Sequence, residues 1–253
     1  MTSTLRVTFD DGILALTLNR PRRLNALNSE LVGGLARELR RAEEADVRVV
    51  TLTGSGSSFC AGADVEEVLG LTDEVAAERF LRQLASVLGW ISELDKPVVV
   101  GFQGHAAGGG AELALEADLR VAGSDACLWF PDVGMGSTPA SLWRLTRIVG
   151  DAVAAEMVML GRRLDAGELQ RLGAVAEVVE PSAVATATAE LASRLRDGAA
   201  PLPLGCAKRS LRSAASATRQ ADLEANVGLM LACFSGADQA RAVAEFSSRG
   251  TER

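Results

Sequence analysis

The chain has 253 residues, 48% of them apolar and 23% charged, which is ample material for one large domain with a buried core of ordinary density. Lys and Arg total 26 against 33 Asp and Glu, a net charge of −7, and that balance repels a polyanionic backbone, so no nucleic acid is expected as a partner. No apolar run approaches the roughly 18 residues that span a bilayer, and the opening residues lack the apolar stretch of a signal peptide, so the expectation is no membrane and a cytoplasmic protein.

Residues 5–9 and 13–18 alternate apolar with polar or small side chains, and Asp10, Asp11 and Gly12 between them make a hairpin turn. Asn28 or Ser29 caps a helix with Leu31, Leu35, Leu39 and Ala42 at helical spacing, ending near Glu44. Residues 47–53 read as a buried strand, broken by the Gly and Ser run at 54–58. Over 73–93, Val75, Ala76, Phe80, Leu84, Val87, Leu88 and Ile91 share one side of a long amphipathic helix. Two short apolar runs, 97–102 and 119–122, read as strands around a glycine-rich turn and a short helix at 108–116. From Pro139 the pattern is mostly helical, at 142–149, 152–160 and 166–172, before a brief strand at 176–179. After Pro181 every periodic segment is helical, at about 183–196, 204–215, 218–234 and 237–246. The alternation of β and α over the first two-thirds predicts an α/β core, followed by an α-helical tail.

Cys60, Cys127, Cys206 and Cys233 stand far apart with no Cys-x-x-Cys pair, which argues against a disulfide framework or a zinc knuckle. The single histidine, His105, is too little for a histidine-rich metal centre, so no metal is expected. The Gly-x-Ser-x-Gly elbow, the Gly-x-Gly-x-x-Gly fingerprint and the P-loop are all missing from the sequence. Carboxylate and backbone chemistry remain.

Three segments ask for one explanation: 19–27, with Arg20, Pro21, Arg22, Arg23, Leu24 and Asn25; 59–64, with Phe59, Ala61, Gly62, Ala63 and Asp64; and 104–113, with Gly108, Gly109, Gly110 and Glu112. Consecutive glycines at a helix start let a backbone N–H approach a ligand closely, and the helix dipole adds partial positive charge there. In the order and spacing of these segments the chain resembles the crotonase family, the enoyl-CoA hydratase and isomerase superfamily, over nearly its whole length.

The resemblance implies a crotonase-like ββα spiral core over 1–190, with the CoA and acyl site. Residues 191–253 would form a helical region for oligomerisation and active-site cover. It implies an oxyanion hole from the Ala63 and Gly109 N–H groups for the oxygen of a CoA thioester. Glu112 and Asp132 take the places of the two proton-handling acids. Asp132 stands where the family has a glutamate, and its side chain is shorter by about 1.5 Å. The following segment, Pro139, Ala140, Ser141, Leu142, Trp143, is also shorter than the family's and lacks its glycines. Trp129 and Trp143 flank this region as expected acyl-pocket walls. Arg22, Arg23, Leu24, Ala61, Ala63 and Asp64 match the CoA-binding segments, and guanidinium groups suit phosphates. Phe246 and Arg249 match the family's tail only loosely, and His105 is read as structural.

The expected reaction is hydration of an enoyl-CoA, with the CoA thioester as substrate and no further cofactor. Isomerisation, decarboxylation or thioester hydrolysis by a single carboxylate is the alternative, and a non-catalytic accessory subunit is another. Homotrimers, often paired into hexamers, are the assembly the resemblance implies.

Overall fold

Alternation in the first strands becomes a hairpin. Strand β1 (Leu5–Asp10) pairs antiparallel with β2 (Ile13–Leu18). The turn between them places Asp11 at φ +44° and Gly12 at φ +77°, the left-handed values that a two-residue hairpin turn requires. Leu14, Leu16 and Leu18 then all fall on the core face. The computed structural model describes residues 3–71, 73–199 and 201–213.

From β2 the sheet continues in parallel through β3 (Val49–Gly54), β4 (Val98–Phe102), β6 (Leu119–Gly123) and β9 (Glu177–Val179), in the order β1-β2-β3-β4-β6-β9. The central strands read as continuous apolar runs because helices cover both faces. On one face lie α1 (Ser29–Arg41) and α3 (Glu74–Glu93), each started by a side-chain cap: Asn28 accepts from Leu31 N–H, and Asp73 from Ala76 N–H at 2.7 Å. On the other face lies α8 (Val184–Gly198), where Leu191, Ala192 and Leu195 pack with Val49 and Val99. Helix α8 seats closely: a Cβ at Gly101 would stand 2.0 Å from Thr188 Oγ1. The expected boundary at 190/191 falls inside this helix, so the cover of the sheet extends past residue 190.

A second sheet of three short strands, β5 (His105–Ala107), β7 (Cys127–Trp129) and β8 (Leu164–Asp165), sits beside the first. The remaining helices are α2 (Val65–Gly70), α4 (Gly109–Glu116), α5 (Trp143–Val149), α6 (Asp151–Met159), α7 (Ala166–Arg171) and α9 (Pro201–Ser213). Every residue of α4 is buried, and Arg120 on β6 closes its C-terminal end by donating to the carbonyls of Ala114, Leu115, Ala117 and Asp118, and also to that of Ala174. One guanidinium therefore satisfies helix-end acceptors that burial would leave orphaned. The helices expected at 218–234 and 237–246 lie outside the described residues. No helix among the described residues is long and apolar enough to cross a membrane.

Candidate active site

The loop that follows β3 is held on two sides by main-chain bonds. On one side, Phe59 N–H donates to Gln103 C=O, Cys60 N–H to His105 C=O, and Ala107 N–H returns to Cys60 C=O at 2.9 Å. On the other side, Ala61 N–H donates to Leu24 C=O, Leu27 N–H to Gly62 C=O and Asp64 N–H to Leu27 C=O. These bonds use the amides of Phe59, Cys60, Ala61 and Asp64, the Gly62 amide faces the Cys60 sulfur, and Ala63 N–H has no acceptor among the described residues. Gly62, at φ +98°, permits the close approach: a Cβ there would stand 3.0 Å from Ala107 C=O.

Gly108 turns the chain from β5 into α4 at φ +50° and ψ −124°, and its N–H donates to Trp129 C=O at 3.1 Å. Gly109 is the first residue of α4, and its N–H likewise has no acceptor among the described residues, as expected of a helix's first turn. Thus the loop ending at Ala63 and the start of α4, which pack against each other through Gly62 and Gly108, each present an unpaired amide.

Glu112 projects from the first turn of α4 and is 2% exposed. Its Oε1 accepts Ser141 N–H at 2.5 Å. Asp132 sits in the turn after β7 and lies over Gly108, where a Cβ would stand 3.4 Å from its Oδ2. That Oδ2 has no solvent-accessible surface and no hydrogen-bond partner among the described residues. Burial pushes the Glu112 carboxyl up to about 8; the nearby Asp132 charge adds to this, and the Ser141 amide opposes it. Burial also pushes Asp132 up, to about 6. Both acids thus favour the protonated form more than a solvated carboxyl does.

The other expected residues divide. Arg22 and Arg23 are exposed in the turn at 21–23, and Arg23 pairs with Glu66. Leu24 stands at φ +46° with its carbonyl holding Ala61. Asp64 is buried and pairs with Arg20 Nη1 at 2.8 Å, so it pins its own loop. Trp129 has the Arg163 guanidinium 4.1 Å above its ring and the His105 ring edge-on at 6.5 Å. Trp143 is buried beneath Arg147, at 4.4 Å, and lines a cavity of about 460 Å³ that neither Glu112 nor Asp132 lines. The two acids lie close enough for the Asp132 charge to act on Glu112, whereas the cavity beside Trp143 is lined by neither acid and not by Trp129. Phe246 and Arg249 lie outside the described residues. Among the described residues, no group of three His, Cys, Asp or Glu side chains is gathered as a metal site needs.

Four supporting residues escape sequence reasoning. Arg20 anchors Asp64. Asn25, fully buried, donates to the Ser55 and Ser58 carbonyls and so fixes the loop that leads to Phe59. Ser141 holds Glu112, and its hydroxyl donates to Glu116 at 2.8 Å. Glu116 alone had a readable signal, being a second acid four residues after Glu112 on an otherwise apolar helix.

Comparison with known proteins adds an independent line. The family described as enoyl-CoA hydratase/isomerase matches residues 8–252. The chain is 32% identical over 238 residues to the short-chain-enoyl-CoA hydratase of Clostridium acetobutylicum, covering 92% of this chain and 90% of that one. It is 34% identical over 226 residues to the 1,2-epoxyphenylacetyl-CoA isomerase of Escherichia coli, covering 85% of each. The solved structure of an enoyl-CoA hydratase/isomerase from Pseudoalteromonas atlantica matches with a TM-score of 0.86 at 30% identity, over 97% of each chain.

Proposed function

The chain belongs to the enoyl-CoA hydratase/isomerase family, and from that premise we propose that it is an enoyl-CoA hydratase, an enzyme that adds water across the α,β double bond of a CoA thioester. The observation that carries this reading is the pairing of two acids, buried Glu112 and half-buried Asp132 with its enclosed Oδ2, beside two unpaired main-chain amides, those of Ala63 and Gly109.

In the proposed step the thioester oxygen accepts from both amides, which stabilises the charge that gathers there as the β-carbon is attacked. A water oxygen bonds to the β-carbon and gives its proton to the ionised carboxylate, while the protonated carboxyl delivers a proton to the α-carbon. The pair ends with its proton exchanged between the two acids, and no other group is consumed. Between about pH 6 and about pH 8 the pair holds one proton, resting on Glu112, the acid of higher affinity.

The segment with Arg22, Arg23, Leu24, Ala61, Ala63 and Asp64 is the proposed CoA contact. Arg22 and Arg23 would meet phosphates, and Asp64 would act by holding the loop through Arg20. Trp129 and Trp143 are the proposed acyl-side walls, by their place in the chain near Asp132 and Ser141. The C-terminal region 191–253 is the proposed site of assembly into trimers or paired trimers, in the cytoplasm.

Loss of the conjugated thioester absorbance of crotonyl-CoA tests the reaction. Wild-type protein is expected to turn it over, and Glu112→Gln to be slower by about 10²–10⁴-fold; equal rates would end the proposal. A second reading, double-bond isomerisation with one working carboxylate, draws on the shorter acid at Asp132 and its unpaired Oδ2. Mass spectrometry separates the two, because hydration adds the mass of water and isomerisation adds none.

A further inference from the structure

Glu116, the second acid of α4, is 1% exposed and has no part in the step above. A carboxylate held so deep needs bonding partners to offset its desolvation. Its Oε1 accepts the Ser141 hydroxyl at 2.8 Å, and its Oε2 stands 3.9 Å from Arg144 Nε. Ser141 is the same residue whose N–H donates to Glu112 Oε1. One small residue, 5% exposed, is therefore clamped between the two glutamates of α4, by its hydroxyl to Glu116 and by its amide to Glu112.

Ser141 lies between the turn after Asp132 and α5, where no regular secondary structure fixes the direction of an amide. Something else must fix it. The charged groups that face Glu116 include Glu112 from its own helix, Arg144 from α5 and Arg120 from β6, while Asp132 adds its charge at Glu112.

We propose that Glu116 is a positioning residue for Glu112 that acts through Ser141: its carboxylate fixes the Ser141 hydroxyl, and so the turn whose amide orients Glu112 toward the reacting double bond. The proposal deepens the hydratase reading and rests on it. Its importance follows from the steepness of geometric catalysis, in which a displacement of about 1 Å costs on the order of a hundredfold.

The test compares full-length wild type with Glu116→Ala, Glu116→Gln, Ser141→Ala and the Glu116→Ala/Ser141→Ala double variant in crotonyl-CoA hydration. It also follows the amide resonance of residue 141 in deuterated protein by NMR. Glu116→Ala and Ser141→Ala are each expected to lower kcat about tenfold with KM held within about twofold. The double variant falls no further than the lower single, because both remove one latch. Glu116→Gln recovers kcat, since its amide oxygen still accepts the hydroxyl. The residue 141 amide proton, drawn downfield by its bond to a carboxyl group, moves upfield in Glu116→Ala.

Wild-type kcat with an unmoved resonance in folded Glu116→Ala overturns the proposal, as do a loss confined to KM or losses that multiply in the double variant. The resonance separates the two levels of inference. Movement without any wild-type hydration refutes the hydratase reading and keeps the Glu116–Ser141–Glu112 linkage. Hydration that Glu112→Gln abolishes, with an unmoved resonance, refutes the linkage alone.

Discussion

At Glu112, the acid proposed to carry a proton in the reaction, burial raises the hold on that proton. Its carboxyl is pushed up from 4.5 to about 8, so the folded chain binds more protons than the unfolded chain throughout that interval. Stability therefore falls as pH rises from about 4.5 to about 8, and below that interval the two states are equally protonated at this site. Asp132 adds a change of the same sign between 3.8 and about 6. Thermal unfolding across this range is expected to show Glu112→Gln gaining on wild type as pH rises, and a constant difference would contradict the assignment. The kcat/KM profile of the wild type, which reports the unliganded enzyme, should be bell-shaped, with limbs near the same two values. Glu112 and Asp132 were expected from the resemblance of the short segments that carry them to those of the crotonase family, and the structure sets them near enough for one charge to act on the other. Ser141 was not: it contributes a backbone amide to a carboxylate 29 residues away, and no property of the serine itself records that contact.

Among the elements, the turn from β5 into α4 carries the most constraint. Gly108 has a backbone conformation closed to residues with a side chain, and the space a Cβ would need is bordered by the Asp132 carboxylate at 3.4 and 3.5 Å. Gly108→Ala is expected to cost on the order of 1–3 kcal/mol in denaturant unfolding and to lower kcat by displacing Asp132; full activity at unchanged stability would refute this. Elements long enough to establish a period were legible in the sequence: the hairpin, the capped helix α1, the long helix α3 and the valine-rich β4. Strands β5 and β7, of three residues, and β8, of two, are too short to show alternation, and their pairing is set by tertiary contact. The six-residue helix α2, which follows the Ala63 loop directly, was missed for the same reason.

For the molecule as a whole, the α/β class followed from the alternation of patterns, whereas the side-by-side arrangement of two sheets did not, because hydrophobic period reports burial and not which strands pair. The surface carries apolar side chains that a lone chain leaves in water, among them Met159 at 72% and Leu160 at 81% exposure at the end of α6. Light scattering is expected to give a mass three or six times the 26.4 kDa of one chain; a monomer at micromolar concentration would refute the assembly. The two unpaired amides at Ala63 and Gly109 also bear on how such a protein diversifies. Donors that belong to the peptide backbone are indifferent to genetic drift in side-chain identity, since nearly any amino acid supplies the same N–H and only proline erases it. Inheritance can therefore rewrite the acids and the pocket lining around these donors, provided the glycines that shape their turns are kept, and new specificities can arise without first surrendering the old pair of amides.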